Sequence, residues 1–409
     1  MLKDTFSNEK RFSMRSIVAS FILVTNAFVW YFYAFYVLTE IMRTVELTSI
    51  EASTIWILNF IGAAVFALSG AAITSKIGRR VMFLLVWMLL GVVFSFFPML
   101  LDVSMTLDLF VVSFLFGASF GLGMPTAMAY FADSTLTENR ARLGGIIFLG
   151  IGLGTFLLGI INVAEIATKI MVLAILRVVG FLIFFLIRPA ESQPRENKSL
   201  SYTLILSQRS FLLYLIPWVM FCLVNQTSAP ILMSFFGEDF VNIFAIIEGI
   251  LAGTFAVISG FFCDRIGRKR LSILGFAMLG IGYATLGIFP PSLPSWYFYT
   301  LADGIAWGIF YTVFFATIWS DLAYGAPSDK YYALGGLPYL LSNFLRFVLG
   351  QYIAETISMY TIFSLASFFL FLAVIPLIYA PETLPEKKIK ERELKEYIGK
   401  AKKAKKKHT

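Results

Sequence analysis

The stretch GFFCDRIGRKR occupies residues 260–270 and is the most informative segment of this chain. An acid and a cation, Asp264 and Arg265, precede a turn-forming glycine, Gly267, and three further cations occupy 268–270. Long apolar runs lie on both sides of the stretch. A short cationic hairpin between two apolar runs is typical of a water-exposed loop between membrane helices. The stretch therefore predicts a protein built from membrane-spanning helices.

The pattern G-x-x-x-D-R-x-G-R-K resembles the loop signature of the major facilitator superfamily. A weaker copy, AAITSKIGRR, occurs at residues 71–80 with Ser75 in place of the acid. A second pair of matching stretches is ENRARLGG at 138–145 and DKYYALGG at 329–336. Copies at matching positions indicate that the chain consists of two homologous halves.

The resemblance covers residues 10–382, and PETLP at 381–385 is similar to the motif that ends the last span in the sugar and organic-ion branches. It implies an all-α integral membrane fold of twelve transmembrane helices in two pseudo-symmetric six-helix bundles. In that family the two halves rock about a central site.

Composition supports a membrane protein, since 58% of residues are hydrophobic and 14% are charged. Much of the net charge of +8 lies in short loops and the tail, so nucleic acid is not expected as a partner. The chain has two cysteines and one histidine, which predicts neither a disulfide framework nor a metal site. No G-x-x-x-x-G-K-S/T loop is present, so ATP is not expected as the energy source unless a partner brings it. Neither an enzyme nor a cofactor is expected.

Runs of about 20 apolar residues predict twelve spans with a polar break after the sixth. The first bundle is expected at 1–190, a cytoplasmic linker at 191–209, the second bundle at 210–381 and a basic cytoplasmic tail at 382–409. The spans are expected near 15–38, 52–73, 80–100, 108–131, 143–163, 169–188, 210–235, 241–262, 271–290, 296–320, 333–354 and 359–380.

Alternate loops rich in Lys and Arg lie on the same side as both termini, and such loops stay in the cytoplasm. We therefore expect a multi-pass protein of the cell (plasma) membrane with both termini in the cytoplasm. The spans contain many glycines, and those at 117, 121 and 123 are expected to allow close helix packing.

The family fold implies a cytoplasmic gate, because it places the end of the eighth span beside the start of the fifth. Asp264 is then expected to pair with Arg140 and Arg142 and to hold the outward-open state. The first loop, with Ser75 for the acid, is expected to lack this pair. An alternative is that the cations only set the topology. The predicted gate comprises Asp264, Arg265, Gly267, Arg268, Arg140 and Arg142.

Three ionisable residues of the second half share one depth in the membrane. A rise of about 1.5 Å per residue places Glu248 ~24 Å, Asp303 ~27 Å and Arg346 ~20 Å from the cytoplasmic helix ends. Charge at this depth is costly and therefore indicates function. We expect Arg346 to neutralise one carboxylate, which leaves the other to bind a proton or a cationic solute. The alternative is a triad that only braces the bundle.

The tenth span presents Asp303, Trp307 and Tyr311 four residues apart, on one helix face. The family lines its cavity with the first, fourth, seventh and tenth spans, which suggests polar and aromatic side chains as ligands. Helix packing is the alternative for each of them. The predicted cavity residues are Asn26, Trp30, Tyr33, Asn59, Asn225, Gln226, Trp307 and Tyr311.

The function that these features predict is alternating-access transport of a small organic solute, with a proton as the coupling ion, as in a symporter. Membrane lipid is the other expected partner, and a monomer is expected. Two alternatives stay open: an efflux antiporter for drugs or metabolites, and a receptor on the same fold that transports nothing.

Overall fold

The computed structural model describes residues 14–77, 79–160, 165–191, 199–225 and 237–384, and within them it leaves the side chains of 238–243, 344 and 346–355 undescribed. Gln226, most of the predicted tail and the side chain of Arg346 thus lie outside the described part of the chain.

The described chain is helical from end to end, as apolar spans require in a lipid environment. The helices are α1 (Met14–Met42), α2 (Ser49–Ile77), α3 (Arg80–Ser95), α4 (Phe97–Leu100), α5 (Thr106–Asp133), α6 (Arg140–Ile160), α7 (Ile166–Ile187), α8 (Tyr202–Leu206), α9 (Arg209–Asn225), α10 (Glu238–Ile266), α11 (Arg268–Ile288), α12 (Leu293–Phe310), α13 (Ile318–Leu322), α14 (Asp329–Thr356) and α15 (Met359–Tyr379). A π-helical segment, Tyr311–Thr317, joins α12 to α13.

Ten helical stretches of the described residues are long and apolar enough to cross a membrane. The helix α9 is a shorter apolar helix of the same character. The all-helical membrane fold is therefore confirmed, while the count of twelve spans in two bundles of six stays a prediction.

The chain divides into two compact units, and the first takes residues up to Leu136, Leu153–Leu200 and Gly325–Phe347. Within it α2 packs against α5, and α7 packs against α1 and α3. A methyl group at Gly117 would lie 1.9 Å from the carbonyl oxygen of Asn59. The expectation that glycines of this helix permit close packing is confirmed.

The second unit takes Thr137–Gly152, Ser201–Tyr324 and the chain from Val348 onward. Within it α11 packs against α12 and α15, and α10 packs against α12. The first part of α6 lies against α10, where a methyl group at Gly145 would be 2.2 Å from the carbonyl oxygen of Ala256. The boundaries of the two bundles predicted from the sequence stay a prediction.

Candidate functional site

A pair of carboxyl groups lies between α10 and α12 in the second unit. Asp303 of α12 is 1% exposed, and its carboxyl group is hydrogen-bonded to that of Glu248 on α10. Two ionised carboxylates offer only acceptors, so a hydrogen bond between them needs one proton on the pair. The arrangement can therefore hold a proton between a buried carboxyl group, Asp303, and a half-buried one, Glu248.

An amide from α9 connects this pair to an indole ring. In the amide orientation that satisfies both neighbours, Asn225 Nδ2 donates to Asp303 Oδ1 at 3.1 Å, and its Oδ1 accepts from Trp307 Nε1 at 3.2 Å. Three helices thus converge on one buried carboxyl group. An Asn donor fixes the position of that group without adding charge.

An aromatic surface continues from this site along α12. The rings of Trp307 and Tyr311 lie 5.2 Å apart between centroids, and Tyr311 stacks on Phe148 of α6 at 4.6 Å with 2° between the planes. Tyr311 opens the π-helical segment, in which Thr317 Oγ1 donates to the carbonyl oxygen of Thr312, five residues back, at 3.0 Å. π-Helical segments are rare and are frequent at functional sites.

The structure thus brings together five of the predicted site residues in one unit. They are Asn225, Glu248, Asp303, Trp307 and Tyr311. Gln226 and the side chain of Arg346 lie outside the described residues, so their predicted roles stay predictions. Asn225 was expected as a cavity residue, and its direct bond to the acid could not be read from the sequence.

The candidates on α1 and α2 lie in the packed interior of the first unit. Asn26 Nδ2 donates to the carbonyl oxygen of Leu176 at 2.8 Å, and Trp30 Nε1 donates to Ser95 Oγ at 2.8 Å. Tyr33 is 5% exposed. Their role as cavity residues stays a prediction.

Asn59 has the same interior setting, since Tyr31 Oη donates to its Oδ1 at 2.6 Å and its Nδ2 donates to the carbonyl oxygen of Ser113 at 2.8 Å. Both polar atoms of this amide, Oδ1 and Nδ2, therefore have hydrogen-bond partners within the protein. Its role in a cavity likewise stays a prediction.

A buried cation, Arg177, contacts both Asn26 and Trp30. Arg177 of α7 is 0% exposed, and its Nη1 donates to Asn26 Oδ1 at 3.1 Å. Its guanidinium lies 5.1 Å from the ring centroid of Trp30 and 4.5 Å from that of Trp87. The Nε and Nη2 atoms have no hydrogen-bond partner among the described residues. Cation–π contacts offset part of this cost.

The predicted partners of the gate do meet in the second unit. Asp264, at the end of α10, accepts from the backbone N–H of Ala141 at 3.3 Å and of Arg142 at 3.0 Å, and from Arg142 Nε at 3.3 Å. These N–H groups belong to the first turn of α6, where a carboxylate is stabilised by the helix dipole. The acid therefore fastens the start of α6 to the end of α10.

A second acid of the same cluster was not predicted. Asp321 of α13 accepts from Arg140 Nη1 at 2.5 Å and from Arg268 Nε at 3.1 Å, and Arg268 Nη1 also lies 3.2 Å from Asp264 Oδ1. Arg140 thus pairs with Asp321, and its predicted pairing with Asp264 stays a prediction. A signal was present, because Asp133 and Asp321 end the fourth and tenth spans at matching places in the two halves.

Gly267 has a structural role in this loop, whereas the side chain of Arg265 is exposed to solvent. Gly267 adopts φ +105°, and a methyl group on it would lie 2.3 Å from a carboxylate oxygen of Glu382. That carboxylate accepts from the backbone N–H of Arg268 at 2.8 Å and of Lys269 at 3.1 Å, at the start of α11. Arg265 is exposed and makes no ion pair with another described residue.

The first unit has its own ion-pair cluster, which the expectation of a single gate did not include. Arg80, at the start of α3, pairs with Asp133 of α5 and with Asp329 of α14. Asp329 is 0% exposed. Ser75 donates to the carbonyl oxygen of Ala72 at 2.8 Å and takes no part in these ion pairs. The missing acid is thus replaced by acids on other helices.

The start of α3 is capped in the same way as the start of α11. Glu191 accepts from the backbone N–H of Val81 at 3.1 Å and of Met82 at 3.3 Å. Glu191 and Glu382 each follow the last helix of their half. This likeness extends the internal repeat beyond the stretches that the sequence revealed.

Comparisons with known proteins agree with this architecture. The family model described as Major Facilitator Superfamily matches residues 19–329 and 227–408. No curated protein matches the sequence significantly.

Solved structures show the same fold at low sequence identity. The proton:xylose symporter XylE is 18% identical with a TM-score of 0.70, and the match covers 90% of this chain and 96% of that one. A bacterial homologue of the iron transporter ferroportin is 14% identical with a TM-score of 0.71, covering 90% and 99%. The human organic anion transporter TETRAN is 14% identical with a TM-score of 0.66, covering 89% and 99%.

Proposed function

Since the chain belongs to the major facilitator superfamily, a family of transporters and not of enzymes, we propose that it carries a small organic solute across the membrane by alternating access, coupled to a proton. Proton-coupled transport needs a site near the middle of the membrane that gains and loses a proton during the cycle. The carboxyl pair of Glu248 and Asp303 is the candidate for that site.

The hydrogen bond between these two carboxyl groups is the observation that supports proton coupling. With one proton the pair carries a single negative charge, and a second proton makes it neutral. Neutralisation lowers the cost of moving the pair through a site without water. Asn225 and Trp307 keep Asp303 in place in either state, since an amide and an indole do not titrate.

The solute is proposed to bind beside this pair, against the rings of Trp307 and Tyr311. Aromatic rings beside hydrogen-bonding side chains suit a small polar organic molecule. The printed names of the structural neighbours include a xylose symporter and an organic anion transporter, which supports a small solute without choosing its class.

We extend this proposal to the setting of the protein. We propose a monomer of the cell membrane. Its termini are assigned to the cytoplasm because its cationic loops alternate with acidic ones along the chain.

The experiment begins with a thermal-shift screen of sugars, amino acids, organic acids and organic cations on the purified protein. The best solute is then followed in proteoliposomes in two modes: accumulation driven by an imposed pH gradient, and counterflow without a gradient. Asp303→Asn and Glu248→Gln are expected to lose gradient-driven accumulation at least tenfold and to keep counterflow, because counterflow moves no net proton.

Asp102→Asn is the matched control, since it removes an exposed loop acid, and it is expected to keep both modes. Full gradient-driven accumulation in both carboxyl variants would exclude the proposed coupling site. Solute binding with no flux in either mode would instead identify a receptor, and export driven by the pH gradient would identify an antiporter.

A further inference from the structure

A cavity of about 450 Å³ opens beside the start of α1 and the end of α7, away from the carboxyl pair. Its lining combines two cations with apolar side chains: Met14, Arg15, Val18, Leu186, Ile187 and Arg188. Both helix ends lie on the side that the charge distribution predicts to be cytoplasmic.

The two cations of the cavity are available for a ligand. Arg15 and Arg188 are exposed, and neither guanidinium forms an ion pair or hydrogen bond with a described residue. Arg80, at the same end of the first unit, differs because it pairs with two acids. Two exposed guanidinium groups on one cavity suit an anion with several oxygens, such as a phosphate group.

The side chain of one tyrosine, Tyr130, contacts both chain segments that carry the cavity arginines. The hydroxyl group of Tyr130 donates to the carbonyl oxygen of Ala190 at 3.3 Å, and it is also hydrogen-bonded to Ser16. Each of these partners lies one or two residues from a cavity arginine. Tyr130 thus ties the start of α1 to the chain after α7, so the cavity does not have to form when a ligand arrives.

Arg188 also has an unusual backbone conformation for its residue type. It ends α7 in the left-handed region, with φ 48° and ψ 62°, where glycine or asparagine is usual. A non-glycine residue in this region has a conformational cost and indicates a function for its side chain. Here the conformation places an arginine at the mouth of the cavity.

The apolar part of the lining distinguishes between a free anion and a lipid. Met14 is 72% exposed and Leu186 is 73% exposed, next to the two guanidinium groups. A free phosphate ion would leave these side chains uncovered. A phospholipid would place its phosphate on the arginines and the start of its acyl chains on the apolar rim.

We propose that this cavity is a binding site for one anionic phospholipid, held by Arg15 and Arg188 through the phosphate and by Met14 and Leu186 through the acyl chains. Tyr130 is a positioning residue of the site. The proposal stands independently of the solute and of proton coupling.

The test measures the dissociation constant of the tightest-bound lipid on the full chain by native mass spectrometry. The probes are phosphatidylglycerol, phosphatidylcholine and inorganic phosphate. Each interfacial cation contributes about fivefold to the affinity for anionic lipid, so Arg15→Gln/Arg188→Gln is expected to bind phosphatidylglycerol ~30-fold more weakly. Arg15→Lys/Arg188→Lys is expected to retain most of the affinity.

Arg209→Gln/Arg270→Gln is the control, because it removes the same charge from exposed positions outside the cavity and is expected to bind as the wild type does. Equal affinity of the wild type for phosphatidylglycerol and phosphatidylcholine would overturn the proposal. Unchanged phosphatidylglycerol binding in the Arg15→Gln/Arg188→Gln variant would also overturn it. Displacement of the lipid by millimolar inorganic phosphate would assign the cavity to a free anion instead.

Discussion

Substitution of Asp264 by asparagine is expected to loosen the cytoplasmic gate. This side chain joins α10 to the start of α6 through two backbone N–H groups and two arginines. Asparagine has nearly the same shape and still caps a helix, so the change removes the charge and leaves most of the packing. If the gate is formed only while the cytoplasmic side is closed, the closed state loses the whole contribution of that charge.

The magnitude follows from the two ion pairs of Asp264. The side chain of Arg142 is 35% exposed, so screening reduces its pair to about 0.5 kcal/mol. Arg268 is 0% exposed, but it keeps Asp321 as a partner, so the loss there lies below the 3–5 kcal/mol of a fully broken buried pair, at about 2 kcal/mol. The sum of about 2–3 kcal/mol corresponds to a ~30–150-fold shift of the equilibrium toward the open state.

The native thiol of Cys263 reports on this equilibrium, since it is 0% exposed and precedes Asp264. The rate at which a membrane-impermeant maleimide labels it from the cytoplasmic side is measured in a Cys222→Ser background. We expect the rate to rise by the same ~30–150-fold in Asp264→Asn, while Asp102→Asn leaves it unchanged. An unchanged rate in a folded Asp264→Asn variant would show that these charges do not hold the closed state.

Three further substitutions test the remaining contacts. Arg80→Gln removes the arginine that pairs with two acids of the first unit. It is expected to lower the thermal-unfolding midpoint by an amount equivalent to about 3 kcal/mol. An unchanged midpoint would contradict this prediction. Gly267→Ala combines an unfavourable φ with contact against Glu382 and is expected to cost about 2–3 kcal/mol, whereas the control Gly336→Ala meets open space and is expected to be neutral. Arg177→Met removes a buried cation with two donors that have no hydrogen-bond partner among the described residues. It is expected to lower the free energy of unfolding by less than about 1 kcal/mol, or to raise it. A loss above about 3 kcal/mol would mean that the cation stabilises the unit.

The sequence was sufficient for the fold and for much of the second unit. The loop at 260–270 and its weaker copy identified the architecture, and the spacing of Asp303, Trp307 and Tyr311 placed them on one helix face. Helical depth placed Glu248 at the level of Asp303, and the two carboxyl groups do meet. These predictions rest on periodicity and rise along single helices, which the sequence specifies directly.

Neighbours from different helices could not be obtained in this way. Asn26 and Trp30 share a stripe on α1, yet that stripe meets Arg177 of α7, which lies some 150 residues away in the chain. Similarly, the pair of Arg140 with Asp321 was not predicted, because the end of α13 could not be placed beside Arg140 from the sequence. The sequence gives the face of a helix, whereas the partner of that face depends on packing between helices.

The first unit shows the limit of comparing the two copies of the loop. Replacement of the acid by Ser75 suggested that no ion pair remained, but Asp133 and Asp329 supply the carboxylates for Arg80 from other helices. The ion pairs of Arg80 thus do not require an acid at the position of Ser75.

Proton movement during solute uptake is the strongest test of the carboxyl pair as the coupling site. In lightly buffered proteoliposomes without a pH gradient, addition of solute to the wild type is expected to raise the external pH in step with uptake, as protons enter with the solute. The Glu248→Gln/Asp303→Asn variant is expected to exchange solute with no pH change. A proton signal of wild-type size in that variant would contradict the assignment of the carboxyl pair.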